Sequence, residues 1–159
     1  MGPVALADPY FVKQPPFWLL EQVVLACHAE ALRRHGGADG VRDPALLQSA
    51  MARPQQLFHD EQADLCRLAA AYAHGIVRNH PFVDGNKRAG FLAAIVFLLR
   101  NGLRLVAHPA HGAVFTIGLA EGSLSEDAYA LWLRENTEKV AAKRQRPGNG
   151  KSKGRRSRG

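Results

Sequence analysis

The chain has 159 residues, of which 47% are hydrophobic and 22% charged. That suits one soluble globular domain with a core of its own. The longest apolar run, Ala89 to Leu99, is 11 residues between Arg88 and Arg100, far short of the roughly 20 a membrane-spanning helix needs. The net charge of +7 is unevenly placed: residues 138–159 carry nine Lys or Arg and one acid, whereas residues 1–137 carry 12 basic and 13 acidic groups.

The first residues, with Pro3, Pro9 and Pro15, show no period and read as an irregular N-terminal arm over 1–15. They have no basic segment followed by a long apolar one, so no signal peptide is expected, and Leu6 stands where a myristoylation signal needs Ser or Thr. A helix is predicted from Pro16 to His35, because Leu20, Val23, Val24, Cys27 and Ala31 share one face and Gly36-Gly37 stops it. Asp43 followed by Pro44 is a start signal for a second helix, which Pro54 is expected to end. Leu65, Leu68, Ala69, Tyr72 and Ile76 give a third helical stripe over about 61–78.

Residues 86–101 form the most apolar helix. Phe91, Leu92, Ile95, Val96, Phe97, Leu98 and Leu99 leave it no polar face, so other helices must enclose it. A weaker helix is expected over about 110–121. Ser123 and Glu126 read as a capping box for a last helix carrying Tyr129, Trp132 and Leu133. No segment alternates with period two, and the fold class read from these patterns is all-α. Beyond Ala142 the chain has no apolar side chain, so residues 138–159 read as a basic, disordered tail. Cys27 and Cys66 fall in apolar helical patterns and read as buried thiols in a reducing cytoplasm.

The chemistry concentrates in His80-Pro81-Phe82-Val83-Asp84-Gly85-Asn86-Lys87-Arg88. This stretch leads into the apolar helix, whose first turn offers unpaired N–H groups and the positive end of the helix dipole, an anion site before any side chain is counted. Gly85 permits a tight turn and close approach. Asn86 can cap the helix or bond a phosphate. Lys87 and Arg88 oppose the dipole, a cost that a bound polyanion explains. Asp84 suits Mg²⁺, which favours one or two carboxylates together with phosphate oxygens and water. An imidazole such as that of His80 can take a hydroxyl proton near neutral pH. Taken singly, each of these is an ordinary turn, cap or solvated charge. Nine in a row before an enclosed helix are hard to explain as scaffold.

The nonapeptide resembles the HPFx(D/E)GN(G/K)R signature of the Fic/Doc family, and Lys87 is typical of the Doc branch. His35 to Asp43, Leu46 to Ala50 and Ala52 to Pro54 are similar to the opening of Doc-type toxins, and the likeness spans about residues 10–137. The resemblance implies an all-α helical bundle in which the motif loop leads into a central helix. It implies a toxin kinase that transfers the γ-phosphate of ATP, with Mg²⁺, to a threonine of elongation factor Tu and arrests translation. Gly in place of Lys87 would imply nucleotidylyl (AMP) transfer instead, and this is the alternative activity. Carried over by position, His80 is the general base, Asp84 binds Mg²⁺ or helps orient His80, and Gly85, Asn86, Lys87 and Arg88 are the phosphate holders. Arg78, two residues before His80, is added as a further phosphate contact. A Phd-like antitoxin is the implied inhibitory partner. An internal inhibitory [ST]xxxE[GN] helix is not expected, because Thr116 and Glu121 are one residue too far apart.

Other signals are weaker. Gly150-Lys151-Ser152 lacks the upstream Gly and the flanking elements of a P-loop. His108 and His111 read as loop histidines, not a metal pair. The basic tail admits a different class of function, a non-catalytic nucleic-acid- or ribosome-binding protein acting through salt-dependent, sequence-independent contacts.

Overall fold

The structure, a computed structural model, describes residues 8–141, so the stretch of the tail from 142 onward lies outside the described residues. Six helices and one short pair of strands follow in chain order: α1 (Glu21–His35), α2 (Pro44–Glu61), α3 (Leu65–Asn79), α4 (Asn86–Arg100), β1 (Leu103–Leu105), α5 (Pro109–Glu121), α6 (Glu126–Glu135) and β2 (Thr137–Lys139). The fold is the expected helical bundle with one addition. β1 pairs antiparallel with β2, Leu103 opposite Lys139 and Leu105 opposite Thr137. Strands of three residues are too short to show an alternating pattern. The ordered chain therefore runs past residue 137, and Glu138 and Lys139 belong to a strand.

The core lies between α3 and its neighbours. Eleven of the 15 residues of α3 are buried, and α4 packs on α1, α3, α5 and β1. The apolar composition of α4 thus does place it centrally, but α3 is the more enclosed helix. Small residues allow the two to approach closely. A Cβ on Gly90 would stand 2.9 Å from Val77 Cγ1 and 3.1 Å from the carbonyl oxygen of Ala73. Tyr72, Phe97, Tyr129 and Phe82 are the largest fully buried side chains of the core. Both cysteines are free and buried, as expected.

Four helix boundaries differ from the expectations, each for a physical reason; α3 begins at Leu65, not near 61, because Asp64 caps it by accepting from the N–H of Arg67. α1 begins at Glu21, not Pro16. The preceding segment is held extended by tertiary bonds: the Asn101 side chain bonds the N–H and the C=O of Phe17 at 2.9 and 3.1 Å, and the Tyr72 hydroxyl accepts from the N–H of Leu19. α2 continues through Pro54, which is buried, to Glu61. The proline costs the helix one N–H, but Leu57 and Phe58 beyond it pack against the core, and the Phe58 ring meets Trp18 edge-on at 5.8 Å. The last helix is capped by Ser125, whose Oγ accepts from the N–H of Ala128. Ser123 instead donates to the carbonyl of Gly118, and Glu126 is occupied elsewhere, pairing with Arg53 and Arg67.

Candidate functional site

The nonapeptide forms the turn between α3 and α4. α3 closes at His80, whose backbone is left-handed at φ 50° and ψ 56° and whose N–H bonds the carbonyl of Ile76. A non-glycine residue in this region is strained, and here it projects an exposed imidazole from the helix end. Pro81 and Phe82 then turn inward and are buried. Gly85, with φ 75°, occupies the position before α4 and supplies no side-chain cap. A Cβ there would come within 3.3 Å of Leu32 and 3.6 Å of the His28 ring.

Three sets of bonds hold the turn. The Asn86 side chain is buried and folds back on it: Oδ1 accepts from the N–H of Phe82 and Nδ2 donates to the carbonyl of Phe82, both at 3.0 Å. The same Nδ2 lies 3.4 Å from His80 Nδ1. Asn86 therefore shapes the loop and faces the imidazole. The second support is the loop before α2. Val41 bridges Phe82, and the N–H groups of Arg42 and Asp43 both reach the carbonyl of Pro81. The Arg42 guanidinium donates to the carbonyls of Asn79 and His80, closing the C-terminus of α3. The third is His28 of α1. Its ring stacks on Phe82 at 3.9 Å and 4°, and its Nε2 lies 2.8 Å from the carbonyl oxygen of Asp84.

The Asp84 side chain is exposed, yet it is aimed. Oδ1 accepts from the N–H of Gly85 at 2.7 Å and Oδ2 from that of Ala38 at 3.4 Å. A cleft of about 730 Å³ opens beside it, lined by His80, Asp84, Gly85, Asn86, Lys87 and Arg88 from the motif, by Arg34 and His35 from α1, and by apolar residues of α4 and α5. Its size suits a nucleotide-sized ligand. Lys87 and Arg88 stand exposed in the first turn of α4, which holds no acidic residue. The cleft is therefore anion-attracting at one end. Among the described residues, Asp84 is the only carboxylate lining it. Among the described residues, no group of three or more His, Cys, Asp or Glu could cage a metal alone. A single carboxylate beside exposed cations fits Mg²⁺ that is bound jointly with phosphate oxygens.

The structure thus brings His80, Asp84, Gly85, Asn86, Lys87 and Arg88 to one cleft. Arg78 is not among its lining residues: its Nη1 donates to the carbonyl of Ala120 at 3.3 Å, at the end of α5. Three residues at the site escaped the sequence reading. Arg34 and His35 end an ordinary helix, and Arg34 also pairs with Glu30. Only the place of His35 beside Gly36-Gly37, where α1 stops, could have suggested the second of them. His28 left a fainter signal, a polar residue on the stripe of Val24, Cys27 and Ala31. Thr116 also lines the cleft, but it is buried and bonded to the Tyr129 hydroxyl at 3.0 Å, whose pKa burial pushes up to about 12. His108 accepts from the N–H of Ala110 and caps α5, which gives it a structural task.

Known proteins resemble this chain. The Fic/DOC family model matches residues 18–98. The chain is 34% identical over 112 residues to the protein kinase doc of Escherichia phage P1, covering 70% of this chain and 88% of that one. It is 41% identical over 95 residues to the toxin Doc of Mycolicibacterium smegmatis, covering 58% and 68%. The chain belongs to the Fic/DOC family.

Proposed function

We propose that this Fic/DOC-family chain is a toxin kinase that transfers the γ-phosphate of ATP to a protein hydroxyl, that of a threonine in elongation factor Tu, and so arrests translation. The observation that carries this reading is Lys87. It stands in the first turn of α4 beside His80 and Asp84 in one cleft, where a glycine would leave space for a different phosphate placement. The names of two relatives, a protein kinase doc and a toxin Doc, support the same activity.

In this mechanism His80 takes the proton of the acceptor hydroxyl as its oxygen attacks the γ-phosphorus. The bond from the γ-phosphorus to the bridging oxygen breaks, and ADP leaves. Asn86 faces the imidazole and keeps the loop in shape. Lys87, Arg88 and the N–H groups of the first turn of α4 hold phosphate oxygens, with Gly85 allowing their close approach. Asp84 would hold Mg²⁺, which when bound offsets phosphate charge. Arg78 joins the phosphate holders only by leaving the carbonyl of Ala120. A Phd-like antitoxin would silence the toxin by covering the cleft, whose apolar wall of Phe91, Leu92 and Ile117 suits a peptide segment, and the setting would be the cytoplasm. No described helix is long and apolar enough to cross a membrane.

The test is to incubate the chain with Mg²⁺, elongation factor Tu and ATP labelled at either the α or the γ position. Label arriving from the γ position alone is expected. Label from the α position would establish nucleotidylyl transfer and overturn the kinase reading.

A further inference from the structure

We propose that His28 is a positioning residue that sets the aim of the Asp84 carboxylate by fixing the peptide between Asp84 and Gly85. The inference rests on the reading of Asp84 as the metal-holding group. His28 is 3% exposed, on a helix otherwise remote from the motif in sequence. A carbonyl oxygen can only accept, so His28 Nε2, 2.8 Å from that of Asp84, carries the proton and donates it. The parallel stack on Phe82 fixes the ring plane.

The consequence runs through one rigid unit. A trans peptide points its C=O and N–H in opposite directions. Holding the carbonyl of Asp84 toward α1 therefore turns the N–H of Gly85 the other way, where it donates to Asp84 Oδ1 at 2.7 Å. The loop after α1 closes the second side: Ala38 N–H reaches Oδ2, and a Cβ on Gly37 would stand 2.7 Å from the same oxygen. α1 and the turn that follows it thus locate both carboxylate oxygens. Gly85 completes the fit through its left-handed backbone, φ 75°; a Cβ there would press on Leu32 at 3.3 Å, whereas the His28 ring at 3.6 Å would be in ordinary contact. Without the His28 donor the peptide can rotate, the Gly85 N–H swings away, and the carboxylate loses its aim while its charge stays in place.

Outer partners of this kind typically change metal affinity by about 10- to 100-fold, which sets the size of the expected effect. The experiment measures binding of Mn²⁺ with ATP by electron paramagnetic resonance on the full chain and three variants, together with thermal stability. His28→Phe keeps an aromatic ring on Phe82 and removes the donor. His28→Gln places an amide N–H near the position of Nε2. Asp84→Asn reports the affinity left when the carboxylate is gone. The expected result is a loss of at least about 10-fold in Mn²⁺·ATP affinity for His28→Phe, with most of it recovered in His28→Gln. Wild-type affinity in His28→Phe would overturn the proposal. So would equal losses in both His28 variants that track their loss of melting temperature, which would make His28 a packing residue only. Unchanged affinity in Asp84→Asn would remove the metal role of Asp84 and the proposal with it. If the wild type binds Mn²⁺·ATP but transfers no γ-phosphate, the kinase reading falls while the role of His28 stands.

Discussion

His80 combines two properties that pull against each other. Its side chain is placed for proton transfer, and its backbone sits at φ 50°, a conformation that glycine adopts freely. A side-chain-bearing residue there costs on the order of 1 kcal/mol. His80→Gly and His80→Ala should therefore both lose roughly 10²-fold or more in phosphoryl transfer, yet the glycine variant should be about 1 kcal/mol more stable than the alanine variant. Paired urea titrations measure the difference, and equal midpoints would mean the left-handed turn carries no strain. Lys87 presents a similar conflict. A cation in the first turn of α4 opposes the helix dipole at a cost of about 0.3–1 kcal/mol. Lys87→Ala is expected to melt at or slightly above the wild-type temperature without ligand, and to show a smaller rise in melting temperature on adding Mg²⁺·ATP. A full ligand-induced rise in that variant would remove Lys87 from the phosphate site.

At the scale of elements, the site depends on how closely α3 can approach its neighbours, because its C-terminus carries His80 and the turn beyond it carries Asp84. Gly75 lets α2 in: a Cβ there would stand 3.1 Å from the Cα and the Cβ of Ala50. Gly90 does the same for α4. Helix propensity alone favours alanine at both by about 1 kcal/mol. The atoms in the way include backbone, which cannot step aside as a flexible side-chain tip can, so overpacking of about 1–3 kcal/mol should win. Gly75→Ala and Gly90→Ala are expected to be net destabilised in chemical denaturation; a gain in stability in either would show slack in the helix contact. These glycines also mark the limit of sequence reading. The stripes of α1, α3 and α6 and the cap at Asp43 were legible because each is a local pattern. The motif was legible as a site because its unlike polar groups are contiguous. Pro54 misled, since core contacts made by Leu57 and Phe58 outweigh the missing N–H. Phe17 and Leu19 misled because their bonds come from Asn101 and Tyr72, far along the chain. His28 showed only as a polar residue on an apolar stripe for the same reason: its two partners lie in the motif loop, and nothing local to α1 announces them.

Over the whole molecule, one polar cluster ties α2 and α6 to α3, the helix whose C-terminus carries His80. Glu126 of α6 pairs with Arg53 of α2 and with Arg67 of α3, and its side chain is only 10% exposed. His74 of α3 approaches it at 3.6 Å. Burial alone would raise the Glu126 pKa, but the two guanidinium partners outweigh it and hold the carboxyl below its usual value of about 4.5. Burial pushes His74 down from its usual value of about 6.5, in spite of the nearby carboxylate. Both groups bind protons more readily in the unfolded chain, so both make stability rise with pH. The His74 contribution is complete above about 6.5 and declines as pH falls through its lowered folded value. The Glu126 contribution is complete above about 4.5 and is lost as pH falls through its own. Stability is therefore expected to fall in two stages on acidification. Glu126→Gln should remove the lower stage and, by taking the shared carboxylate from the part-buried guanidinium groups of Arg53 and Arg67, the second of which keeps Asp127 at 3.1 Å, cost about 1–3 kcal/mol at neutral pH. His74→Gln should flatten only the upper stage. The measurement is the free energy of unfolding by urea at intervals from pH 7 to pH 3 for the three proteins. A wild-type profile that stays level as Glu126 titrates, or a Glu126→Gln profile with the same slope there as the wild type, would show that the link between α2, α3 and α6 does not depend on this charge.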